Sequence, residues 1–320
     1  MRSLLIGLLA AAVLTAPASR AADYPTKPIK MIVPYPAGGG TDVLGRLVAQ
    51  KLSERLGEPI LVENRTGASG SLGTELVVRS PPDGYTLLFN NETLAIAPNV
   101  SRNLPYDVLR DLTPIGWVAK SVIVIGVASS LPAQSLRDLI AMAKKEPGKL
   151  SYSSCGNDTM MHFAGEMLKQ AAGVDMVHVP YRGCGPAIQD SLSGQVPVFF
   201  NALTNAVAYG KQGRVRVLAV ASGQRTSLAP DIPTVAEQGF PGYEASPWQA
   251  LFAPAGVPEP IVARLSTELR QVVTAADVSG RIRSMSFEPV GSSPAELGAM
   301  VRSEVVRWGR VAKAAGIEPQ

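Results

Sequence analysis

Two stretches of the chain place residue types that recognise anions just before a helix. In the first, the apolar run Ile29–Pro34 leads into Tyr35, Pro36, Ala37, Gly38, Gly39, Gly40, Thr41 and Asp42, followed by a helical pattern to Leu56. In the second, Leu150–Ser153 leads through Ser154, Cys155, Gly156, Asn157, Asp158 and Thr159 into a helical pattern at Met160–Ala172. The first turn of a helix leaves up to four N–H groups without intrahelical partners and carries the positive end of the dipole, so a glycine-rich approach makes an anion site. Either loop alone reads equally as a plain strand-to-helix turn, with Asn157, Asp158 or Thr159 acting only as a cap. Together they suggest two facing sites, for a ligand with two acidic ends or an acid with a polar tail. Phosphate chemistry is disfavoured, because G-x-x-x-x-G-K-[ST] is absent and the glycines at 38, 39, 40 and 45 do not fit G-x-G-x-x-G. Serine-hydrolase chemistry is disfavoured too, since Gly67-Ala68-Ser69-Gly70-Ser71 breaks the G-x-S-x-G spacing at its last glycine. Two cysteines and two histidines, at no ligand spacing, argue against a metal, and no cofactor motif appears.

The elements that must hold these loops read as α/β. Short Val-, Ile- and Leu-rich runs alternate with helical patterns, the pattern of parallel-sheet units. Strands are expected at Ile29–Pro34, Ile60–Glu63, Tyr85–Asn90, Val122–Val127, Leu150–Ser153, Val174–Pro180, Val196–Phe200 and Val215–Ala221. Helices are expected at Asp42–Leu56, Gly70–Ser80, Ser135–Glu146 with Ser135 as N-cap, Met160–Ala172, Pro186–Ser193, Glu259–Ala275 and Pro294–Ala315. A chain of 320 residues with 46% hydrophobic content buries a large core and suggests two domains.

Residues 1–21 read as a secretory signal. Arg2 is followed by an apolar run from Leu4 to Leu14 and small residues at Ser19 and Ala21, with cleavage expected after Ala21. That run is too short for a membrane anchor, which needs ~20 residues. Loss of Arg2 and Arg20 lowers the formal charge of +4 by two, which is no nucleic-acid footprint. The expected compartment is the periplasm or the cell exterior.

Five motifs in one order carry a resemblance over essentially the whole mature chain: Pro34 to Asp42, Val62-Glu63-Asn64-Arg65, Pro82-Asp83-Gly84-Tyr85-Thr86-Leu87-Leu88, Met176 to Gly183, and Pro233-Thr234-Val235-Ala236-Glu237. They resemble the Bug family, substrate-binding proteins of tripartite tricarboxylate transporters. The resemblance implies a type II periplasmic binding protein, an α/β fold of two domains with the ligand in the cleft. It implies domain one at residues 23–124 plus 249–320, domain two at 125–248, and permease subunits as partners. Its ligands would be small carboxylic acids, di- or aromatic, held largely by backbone N–H groups and waters. Ligand contacts are then expected from Tyr35, Pro36, Ala37, Gly38, Gly39, Thr41 and Asp42 on the first loop. Ser153, Ser154, Gly156, Asn157, Asp158 and Thr159 follow on the second, with Asn90, Asn91 and Asn201 in the middle of the cleft. Phe200-Asn201-Ala202 stands where the family commonly has Phe-Asp-Asn, which removes an acceptor for an ammonium group and makes an amino-acid ligand less suitable.

Among other residues, His162 reads as a buttress of the second loop with a ligand role as the alternative, His178 as a core residue, and Trp248 as packing where the chain crosses back between domains. Cys155 and Cys184 follow parallel strands whose loops share one sheet edge, so they form either a disulfide, as export would allow, or two small buried thiols. Delivery to a sensor instead of a permease, and an exported hydrolase, are the rival functions.

Overall fold

The computed structural model describes residues 24–319; the expected signal at 1–21 lies outside the described residues. The strands are β1 (Ile29–Val33), β2 (Ile60–Asn64), β3 (Thr86–Asn91), β4 (Leu112–Lys120), β5 (Ile123–Ala128), β6 (Ser151–Ser154), β7 (Val177–Pro180), β8 (Val198–Ala202), β9 (Val215–Val220), β10 (Trp248–Pro254) and β11 (Glu288–Pro289). The helices are α1 (Gly40–Leu56), α2 (Ser71–Val78), α3 (Thr93–Val100), α4 (Leu136–Lys145), α5 (Met160–Ala172), α6 (Cys184–Ser193), α7 (Leu203–Gly210), α8 (Glu259–Thr274), α9 (Ala276–Ser284) and α10 (Pro294–Ala315).

They build two sheets, in the orders β11-β4-β10-β3-β1-β2 and β7-β6-β8-β5-β9. Purely parallel units were expected, and both sheets are mixed. β1 runs parallel to β2 and β3, and β6 parallel to β7 and β8, but β10 is antiparallel to β3 and β4, and β5 to β8 and β9. The antiparallel members are the strands on which the chain passes from one sheet to the other. β4, for which no strand was expected, and β5 lie in different sheets; the passage falls at Lys120–Val122, where Ser121 N–H donates to Pro247 O at 2.7 Å. Both β5 and β10 are buried along their whole length, as strands flanked on both sides and covered on both faces must be.

Ser135 caps α4 in a reciprocal box with Asp138, and α5 and α10 begin and end where the apolar period predicts. The amphipathic α10 serves both halves. It packs on β4 and α3 of the first and on α5 of the second, with the Trp308 ring edge-on to Phe163 at 5.7 Å and Gln170 Nε2 donating to Val311 O at 3.0 Å. One continuous apolar core therefore runs from Ile32 and Leu88 through Trp308 to Ile125 and Phe200.

Candidate functional site

The first loop leaves β1 at Val33 and is exposed from Pro36 to Gly40. Gly38 sits at φ +83°, a conformation that favours glycine. Gly39 is extended and caps α1 without a side chain, so no side chain answers the N–H groups of the first turn. The carboxylate of Asp42 is engaged within the loop. It accepts from Gly38 N–H at 2.8 Å, from Asn64 Nδ2 at 2.8 Å and from Arg46 Nε at 3.0 Å. Burial pushes this carboxyl up, but those donors outweigh it and hold Asp42 below the usual range. Behind the loop, the Tyr35 hydroxyl donates into the Asn90–Asn91 pair, 2.9 and 2.6 Å from their Oδ1 atoms, and touches Thr93 Oγ1. Burial drives the Tyr35 phenol far above its ordinary pKa, so it remains a neutral donor. Asn90 Nδ2 donates to Thr74 Oγ1 at 3.0 Å, and Asn91 Nδ2 to Thr41 Oγ1 at 3.4 Å.

The second loop is braced from inside. Ser153 Oγ meets Ser191 Oγ at 3.0 Å, and Ser154 Oγ meets His178 Nε2 at 2.7 Å. Gly156 at φ +138° lies so close to the 181 carbonyl that a Cβ there would sit 3.1 Å from Tyr181 O. Asp158 takes φ +58°, which side-chain-bearing residues seldom adopt and Asp tolerates better than most. Thr159 donates Oγ1–H to Gly156 O at 2.7 Å and caps α5 by accepting from His162 N–H. The His162 and His178 rings stack 3.9 Å apart, and His162 Nδ1 accepts from Asp158 N–H at 3.3 Å, which places any ring proton of neutral His162 on Nε2. Burial holds His162 below the usual imidazole pKa and, with His162 beside it, pushes His178 down to about 3. Both rings are therefore neutral at pH 7 and bring no positive charge to this loop. Cys155 and Cys184 are joined as a disulfide with Cα atoms 4.3 Å apart, tying the loop to the start of α6. Asn201 is buried behind that tie, donating Nδ2–H to Cys184 O at 3.2 Å and accepting from Ala202 N–H and Asn205 Nδ2, each at 2.9 Å.

Between the halves lies a cavity of about 520 Å³ in which Asn157, Asp158 and Thr159 face Ser69, Ser71 and Thr93. The exposed first loop, Pro36 to Gly40, does not line this cavity; Tyr35, bonded to the cavity residue Thr93, is its link to it. Ser153, Ser154, Asn90, Asn91 and Asn201 stand behind the lining as braces. Sequence reasoning missed the Ala68–Leu72 wall, weighing that small-residue run only against a nucleophile motif. Its signal was present: Gly67 and Gly70 both take positive φ, so the run is a second glycine-shaped helix entry. Ser246 Oγ and Gln249 Oε1 are buried without a partner among the described residues, and neither residue lines this cavity. Among those residues no cluster of His, Cys, Asp or Glu could hold a metal, and no helix is long and apolar enough to cross a membrane.

A model of the tripartite tricarboxylate transporter family receptor, TctC, matches residues 44–317. Protein BugT of Bordetella pertussis is 34% identical over 310 residues, covering 96% of this chain and 95% of BugT. Among solved structures, R. palustris Rpa4515 with adipate is 34% identical with a TM-score of 0.77, covering 93% of this chain and 100% of that one. MatC from Rhodopseudomonas palustris with bound malate is 30% identical with a TM-score of 0.72, covering 90% and 99%. With its two mixed sheets, its paired loops and this match over most of its length, the chain belongs to the TctC/Bug family of periplasmic solute-binding receptors for transport, and it is not an enzyme.

Proposed function

We propose that the protein is exported, loses its signal at Ala21, and captures a small di- or aromatic carboxylate for the permease subunits of a tripartite tricarboxylate-type transporter. The observation that carries this reading is the uncapped first turn of α1, approached through Gly38 and Gly39, paired with a second, internally braced strand–turn–helix loop across the cleft. Main-chain donors of this kind hold an anion through charge-assisted bonds of about 1.5–3 kcal/mol each, so two or three at each end of a two-ended acid can reach micromolar affinity without arginine. The adipate and malate bound by two relatives belong to the same ligand chemistry. Loops 1 and 2 then contribute donors from Thr41, Asn157 and Thr159, Gly39 and Gly156 give the ligand room to approach, and Asp42, Asn90, Asn91 and Asn201 fix the loops in place. The two sheets act as domains that close over the ligand by rotation about the crossings near 121–122 and 245–247, presenting a changed surface to the permease.

A thermal-shift screen of mono-, di- and aromatic carboxylates on mature protein freed of bound ligand tests this. Stabilisation by RT ln(1 + [L]/Kd), with the acid recovered intact, is the expected result. No shift with any carboxylate would overturn it.

A further inference from the structure

The wall of the cavity is uneven in a way that selects among acids. One side is apolar, formed by Leu72, Ile96, Val100 and Leu104, and among the described residues no Lys, Arg or His reaches the lining. Asp158 is the only ionisable side chain there among the described residues. That residue is held in the left-handed region at φ +58°, a conformation that costs energy and persists where the surrounding structure demands it. The demand is visible: its N–H is anchored on His162 Nδ1 at 3.3 Å, which leaves the side chain free at the cavity wall. The Asp158 carboxylate accepts no hydrogen bond and meets no cation within ion-pair distance among the described residues. Arg102 shares an adjoining groove but sends its Nε to Pro319 O at 2.6 Å and does not line the cavity.

From this we infer that Asp158 sets ligand specificity by excluding a second carboxylate: the preferred ligand is a monocarboxylate with an apolar, ring-sized body and a hydroxyl or amine at its far end, which donates to Asp158. The body fills the apolar pocket, and the carboxylate faces the Thr93 side, where Tyr35 links the cavity to the first loop. A volume of about 520 Å³ lies within the roughly 300–1,000 Å³ of small-molecule sites and leaves room for one ring. A dicarboxylate in the same pose would set a second anion against Asp158 in a partly desolvated space with no compensating cation, which is strongly unfavourable. The inference rests on the reading of the loops as a carboxylate site and narrows it to one class.

Matched ligand pairs test it by calorimetry on the mature full chain. The pairs are 4-hydroxybenzoate with benzene-1,4-dicarboxylate and 6-hydroxyhexanoate with adipate, measured on wild type, Asp158→Asn and Asp158→Gly. Both substitutions suit φ +58°, and unliganded melting temperatures check that the variants are folded. Wild type should prefer the hydroxy acid of each pair by roughly 100-fold, and Asp158→Asn should erase most of that preference by strengthening dicarboxylate binding. If wild type binds carboxylates but favours the dicarboxylate, or if the ratio is the same in both variants, the role of Asp158 is overturned and the carboxylate site stands. If no carboxylate binds wild type or variant, both readings fall.

Discussion

Adjacent glycines in the first loop do different work. Gly38 is required by the backbone, since φ +83° costs a side-chain-bearing residue ~1–2 kcal/mol. Gly39 is not: it is extended at φ −72° and ψ 162°, and a Cβ there would meet only Pro36 O at an ordinary 3.5 Å. A side chain at Gly39 therefore tests the ligand's need for space without disturbing the fold. Gly39→Val should cost about 1 kcal/mol or less in stability, as an unfavourable N-cap does, yet weaken carboxylate binding by roughly tenfold or more. Gly38→Val should lose stability as well. Chemical denaturation with calorimetry separates the two, and full affinity in a folded Gly39→Val variant would refute the main-chain anion site. Asp42→Asn belongs with the structural changes, because the amide turns one acceptor oxygen into a donor that faces either Asn64 Nδ2 or Gly38 N–H and Arg46 Nε, which themselves donate.

The second loop depends on its neighbours more than the first does. Strand β6 delivers Ser154 and Cys155, α5 answers with Thr159 and His162, β7 contributes His178, and α6 holds the far end through Cys184, whose carbonyl accepts from Asn201 on β8. The disulfide closes a loop with a sequence separation of 29 residues, worth about 3–4 kcal/mol in the chain-entropy model. Cys155→Ala combined with Cys184→Ala should lower unfolding stability by about that amount in urea, with the slope of the transition showing any change in the unfolded state. Alkylation under denaturing, non-reducing conditions followed by intact-mass measurement checks the bond itself. Two alkylated thiols in exported protein would mean the cysteines are not joined.

Across the whole molecule, the two halves meet where α3, β10 and α10 converge. There Glu304 Oε2 accepts from the indole N–H of Trp248 at 3.2 Å and of Trp308 at 2.8 Å, with Arg307 on its other oxygen. Close by, Glu92 has a carboxyl oxygen buried without a partner among the described residues, and burial, reinforced by Glu304, pushes its pKa up to about 7. Folded protein thus holds this proton at pH values where the unfolded chain has released it. The contribution is fully present below the ordinary value of 4.5 and is lost as pH rises toward about 7. Unfolding free energy should fall across that window by something on the order of 3 kcal/mol, and Glu92→Gln should remove the decline. Urea titrations at several pH values decide it: an unchanged slope in the variant would show that the proton resides elsewhere. Since α10 packs on both halves beside this group, the junction between them is itself packed.

The sequence by itself determined what depends on near neighbours. Helices Met160–Ala172 and Pro294–Ala315 and the cap at Ser135 follow from apolar period and capping chemistry, and the two glycine loops follow from residues adjacent in the chain. Five ordered motifs added the family. The tertiary structure alone decided the rest, because those decisions pair residues far apart. β10 was not read as a strand: its WQALFAP run places Gln249 at a buried position, and what makes it extended is pairing with β3 and β4 more than a hundred residues earlier. β4, α3, α7 and α9 escaped for the related reason that each is a short or weakly patterned segment stabilised by its packing rather than by its own propensity. In the same way, the sequence placed Asp42 and Asn201 near the site, but only folding brought Asn64 and Cys184 O to their side chains. A single residue can announce its chemistry, but its direction is set by whichever partners the fold supplies to satisfy its buried polar atoms.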